Sequence, residues 1–188
     1  MAAALAWASG LRLYLALFLT GLAARYGWVD LPPHLELLQH NAVLAASGFM
    51  LAVEFFTDKV PWIDSVWDGV HTFIRIPGGA ILAAQMMGDT SEAAFWAAAI
   101  IGGSIAALVH GAKASSRAAM NVSPEPFSNW AASFTEDALV FGGLWTALVH
   151  PVVFLAALIA FLALAAGLVW LLWGFARSRF FTRKPASP

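Results

Sequence analysis

The sequence predicts an all-α, polytopic membrane bundle of about six membrane elements, and three observations carry that prediction. Of 188 residues, 61% are hydrophobic and only 11% charged, and the mean hydropathy is +0.75, which is too apolar for an ordinary soluble domain. Several uncharged runs are long enough to cross a bilayer. The few ionisable residues are bunched at helical spacing: Asp64, Asp68, His71 and Arg75 follow i, i+4, i+7, i+11 and fall on one narrow arc of a helix.

The elements follow in order. Residues 4–24 form a first apolar run, interrupted by Ser9, Gly10 and Arg12 and followed by Trp28 at an interface. No basic segment precedes it, so it reads as part of the mature chain and not as a signal peptide. Residues 31–40, with Pro32 and Pro33, read as a short interfacial helix, and 41–56 as an apolar helix ending at Glu54. Residues 65–87 are broken at Pro77-Gly78-Gly79, which predicts a kinked span or a re-entrant segment. Residues 93–109 are a clean span, 127–149 a mixed one carrying Glu136 and Asp137, and 151–176 the most apolar of all. The glycine pairs 102–103 and 142–143 predict close helix approach, within one chain or between copies in a homo-oligomer. One transmembrane domain over 1–176 and a basic cytoplasmic tail over 177–188 result.

Lys59, Lys113, Arg117, Arg177, Arg179, Arg183 and Lys184 fall on one side of a six-element count. By the positive-inside rule that side is cytoplasmic, with both termini inside and the protein in an inner membrane. A count of four spans and two re-entrant segments is the alternative.

Charge within a bilayer is costly unless it faces a bundle interior, so the polar residues of these elements are the candidate site. They are Glu54, Asp58, Lys59, Asp64, Asp68, His71 and Arg75 in the first half, and Lys113, Arg117, Asn121, Glu136 and Asp137 in the second. His110, Lys113 and Arg117 share one helix face, and so do Asn129, Ser133 and Glu136. The plainer readings are a solvated helix face for the first group and topogenic charges for Lys113 and Arg117. Ser65-Val66-Trp67 followed by Gly78-Gly79 is echoed by Ser128-Asn129-Trp130 followed by Gly142-Gly143, a hint of two weakly related halves meeting at the site.

Three functional readings are open. Glu54, Asp58, Asp64, Asp68, Glu125, Glu136 and Asp137 outnumber Lys59, Arg75, Lys113 and Arg117, which favours a small transporter or conductor of cations or protons. Asp64, Asp68 and His71 are candidate ligands for a divalent cation, and His71, one turn from Asp68, is a candidate proton carrier. A structural or assembly protein with a buried ion-pair network is the second reading. A membrane-embedded metal enzyme is the third, built on Asp68-x-x-His71. It lacks a second such step, and no nucleophile elbow, HExxH or phosphate-binding loop is present, so no catalytic residue is assigned. Zero cysteines exclude disulfides and thiolate chemistry. The net charge of −1 gives no case for nucleic acid. The partners are the lipid bilayer and a small cation or proton, and the sequence requires no cofactor.

Three blocks, GLRLYLALFLTGLAARYGW, VEFFTDKVPWIDSVWDGVHTFIRIPGGA and HGAKASSRAAMNVSPEPFSNWAASFTEDALV, together resemble an uncharacterised bacterial membrane family, the domain of unknown function 4126. The likeness runs from Ser9 to about Pro151. Arg12 stands where that family's pattern has asparagine. The resemblance implies a multi-span inner-membrane protein and supplies no activity.

Overall fold

The structure is a computed structural model that describes residues 1–122 and 126–181. All of its regular elements are helical: α1 (Ala2–Arg25), a 3-10 helix (Pro33–Gln39), α2 (Asn41–Thr57), α3 (Pro61–Gln85), α4 (Glu92–Met120), α5 (Pro126–Val149) and α6 (Pro151–Phe181). By length and composition α1, α4 and Pro151–Phe175 are apolar enough to cross a membrane, and α2 is a shorter apolar helix.

The element that shapes the fold is α1, because it is not one helix. Arg12 has φ −145° and ψ 79°, which interrupts the helical backbone. Met1 nevertheless lines the same cavity as Leu19, Thr20 and Ala23, residues about 28 Å away along a straight helix. The chain therefore doubles back at Arg12, and 2–11 and 13–25 form a helical hairpin. The neighbours agree. Along α5, Gly143 meets Trp7 of the first arm, while Leu144 and Leu148 line the cavity with Leu19 and Ala23 of the second. Ser9 and Gly10 weaken the helix just ahead of the break, and Gly10 lies so close to α4 that a Cβ there would stand 2.8 Å from the Ala106 carbonyl. The arms are about 15 and 20 Å long, too short to traverse a hydrocarbon core of about 30 Å.

Of the two expectations for residues 65–87, the re-entrant segment is corrected, since α3 runs through Pro77 as one helix from Pro61 to Gln85. Proline removes one intrahelical hydrogen bond, but α3 is packed along its length against α1 and α4. The hairpin also changes the topology. It starts and finishes at the same end of the bundle, after which α2, α4 and α6 run away from the Met1 end and α3 and α5 return. Met1 and the last turns of α6 therefore lie at opposite ends of the bundle. Among the tail residues, 182–188 lie outside the described residues.

The Met1 half of the bundle is apolar and built largely from small residues. A Cβ on Gly79 would strike Ala106 and stand 3.2 Å from Ser9 Oγ, and one on Gly102 would strike Ala83 and stand 2.9 Å from the Gly79 carbonyl. The first arm is almost wholly buried there. Trp7 at its centre makes edge contacts with Phe154 and Phe161, 5.8 and 5.7 Å between centroids, which seat α6. Of the glycines expected at close contacts, Gly102 and Gly143 are crowded, Gly103 is in tight contact with Ala80 at 3.3 Å, and Gly142 faces open space. Gly102→Leu should therefore cost roughly 1–3 kcal/mol or more and Gly142→Leu less than about 0.5 kcal/mol, as read from unfolding midpoints in detergent.

Candidate functional site

Because the hairpin penetrates only part-way, the space beyond its tip, between α2, α3, α4 and α5, contains no helix. Charged side chains fill it. Arg12 at the tip, Glu54 and Asp58 on α2, Asp64, Asp68 and Arg75 on α3, Lys113 and Arg117 on α4, and Glu136 and Asp137 on α5 form one continuous ionic network. Each helix supplies its members at helical spacing, so that one face of each turns inward.

Arg12 engages all three guanidinium nitrogens. Nη1 pairs with Asp58 Oδ2 at 2.6 Å, Nε with Asp137 Oδ1 at 3.0 Å, and Nη2 donates to Ser133 Oγ and the Ser133 carbonyl at 2.7 and 3.1 Å. Lys113 is the hub: its Nζ lies 3.1 Å from Glu136, 3.6 Å from Asp68 and 3.9 Å from both Glu54 and Asp58. It also donates to the Leu11 carbonyl at 3.1 Å, so an ammonium meets a carbonyl next to the helix break. Arg75 binds Glu54 and, at 2.8 Å, Asp68. Arg117 holds Glu136 at 3.0 Å, Asp58 at 3.6 Å and the Asn129 carbonyl at 3.1 Å.

Two histidines flank the network. The Trp67 carbonyl can only accept, so His71 Nδ1 donates to it at 2.9 Å, and Nε2 is hydrogen-bonded to Tyr14 Oη at 3.0 Å. Arg75 can only donate, so His110 Nδ1 (3.2 Å) accepts and Nε2 donates to Thr72 Oγ1 at 2.8 Å. At the opposite, Asp64 end, Asn121 donates to Ser65 Oγ at 2.8 Å and Asp64 at 3.3 Å, and accepts from Asn129 at 2.8 Å. These groups line the network at that end of the bundle.

Of the residues singled out from sequence, Glu54, Asp58, Asp64, Asp68, Arg75, Lys113, Arg117, Glu136 and Asp137 are brought together, with Asn121 at the rim and His71 at the flank. Lys59 stands apart: its Nζ donates to the Phe55 carbonyl at 2.9 Å and lies over the Phe55 ring. His71 is directed to Tyr14 and Trp67 and not to Asp68. Both of its ring nitrogens have partners, and among the described residues no group of three or more His, Asp or Glu stands in metal-binding geometry. Glu125 lies outside the described residues. Sequence reasoning left Arg12, His110 and Tyr14 out of the site. The signal for Arg12 was available, since a lone arginine within an apolar run has to find acids.

Residues 1–171 match the family model described as Domain of unknown function (DUF4126). The chain belongs to the DUF4126 family. No curated protein and no solved structure matches it. The matched region of this DUF4126 chain contains the hairpin and every member of the network. Arg12→Gln should cost about 3–5 kcal/mol, because it strips buried carboxylates of their partner. Lys59→Ala should cost less than about 1 kcal/mol, both measured by unfolding in detergent.

Proposed function

We propose that this protein moves protons or small cations across a membrane, with the ionic network beyond the Arg12 tip as its site. The observation that carries the reading is the network's imbalance. Six carboxylates (Glu54, Asp58, Asp64, Asp68, Glu136, Asp137) face four bases (Arg12, Arg75, Lys113, Arg117), a formal charge of 4 − 6 = −2 when all are ionised. A buried surplus of that size is costly until protons or a cation neutralise it. Glu54 Oε2, Asp58 Oδ1 and Asp68 Oδ2 are buried with no hydrogen-bond partner among the described residues, and carboxylate oxygens are what protons and hard cations take. The hairpin supports the same reading, since interrupted helices with ends among ionic groups inside the membrane are how transporters build their sites.

An inert ion-pair network is the second reading, and it has its own support: Arg12, with every guanidinium nitrogen engaged, locks the hairpin tip to α2 and α5. Such a lock needs matched charges, however, and not a surplus of acid.

Lys59 and Arg177 belong to the Asp64 end, against Arg25 at the Met1 end, so we assign the Asp64 end to the cytoplasm of an inner membrane and the Met1 end to the outer side. The hairpin then re-enters from outside, and the network faces the cytoplasm. A reporter fused ahead of Met1 should be accessible from outside and one after the last residue only from inside; the reverse pattern removes this orientation. In proteoliposomes, flux across a panel of protons and mono- and divalent cations should be found for the wild type and fall by about tenfold or more in Asp68→Asn. Absence of flux for every ion would move the assignment to the structural reading.

A further inference from the structure

Asp137 differs from the other carboxylates in what it faces. Its Oδ1 meets Arg12 Nε, yet its side chain keeps 27% exposure, against 11% for Glu136 and 3% or less for the other four acids. That open edge looks into a groove of about 420 Å³ between α2 and α5, walled by Leu15, Leu51, Phe55, Phe56 and Phe141. The volume falls within the range of roughly 300–1,000 Å³ in which small organic molecules are held.

An apolar, aromatic groove with one carboxylate in its wall has a definite chemical complement, which is a positive charge carried on an apolar body. The carboxylate supplies the counter-charge, the phenyl faces attract a cation through their quadrupole, and the remaining wall rewards burial of apolar surface. A hydrated inorganic ion gains nothing from phenylalanine and leucine, and an anion is repelled. The Phe55 ring face is already taken by Lys59 Nζ, 2.9 Å from its centroid, which leaves Phe56 and Phe141 as the aromatic walls open to a ligand.

We propose that the groove between α2 and α5 binds a lipophilic organic cation, an amine or onium ion on an apolar body, with Asp137 as its counter-ion. This deepens the cation reading and rests on it, since the network's surplus of acid is what leaves Asp137 charge for a ligand with Arg12 beside it.

The test is equilibrium binding of tetraphenylphosphonium to the full chain in nanodiscs, with neutral triphenylphosphine oxide as the matched control. The wild type should bind the cation at least about tenfold more tightly than the neutral compound. Asp137→Asn should lose about tenfold in affinity. Ala52→Trp should do the same, because it fills the groove from a lining position outside the ionic network. Glu92→Gln, at the Met1 end of α4, should bind as wild type. No binding above empty nanodiscs, or unchanged binding in Ala52→Trp or in folded Asp137→Asn, overturns the proposal. Binding is scored apart from flux. Intact inorganic-ion flux without binding removes the organic-cation site alone, whereas binding without any flux removes translocation and leaves the site.

Discussion

Everything in this fold depends on how Arg12 is neutralised. A guanidinium with no exposure has to be surrounded by acids, and those acids need further bases. The closure condition is met only by recruiting α2, α3, α4 and α5 at once. The network is therefore the point at which most of the bundle is tied together. Its energetics are those of a buried ionic lattice: the pairing adds little net stability, while the loss of any one member is expensive.

The break in α1 and the network are two sides of one constraint. Had α1 continued straight, it would have filled the bundle centre from end to end. By turning at Arg12 it leaves the far half without a helix, and the near half can then be packed with glycine and alanine around the first arm. One half of the molecule is consequently apolar and rich in small residues, and the other is charged and hydrogen-bonded.

The network is also unequally shielded. Most of its carboxylates are sealed by packing, while Glu136 and Lys113 border a cavity of about 250 Å³ beside α6 and Asp137 borders the groove beside α2. Charge at these two edges meets apolar walls and not solvent, so the surroundings strengthen the electrostatics of whatever occupies them. The histidines at the Arg75 end serve differently: each ring nitrogen has a defined partner, which orients Tyr14 and Thr72.

How much of this was legible in the sequence follows from the range of the interactions involved. Helix positions were readable because they depend on local runs of apolar residues, and the stripe Asp64–Asp68–Arg75 was readable because helical periodicity is local too. The match of residues 1–171 to the family model agrees with the resemblance carried by those same local blocks. Proline is the strongest local signal for an interruption, yet α3 continues through Pro77 as one helix, and the residue with a non-helical backbone is Arg12 of α1. Lys59 and Arg12 exchanged roles for a related reason. Composition counts charges and cannot say which of them point inward, and Arg12 reaches acids 42 to 125 positions away along the chain. By itself the sequence determined an apolar helical protein with too many acids in its interior. Tertiary structure alone decided which base stands among them, because that depends on where a doubled-back helix stops.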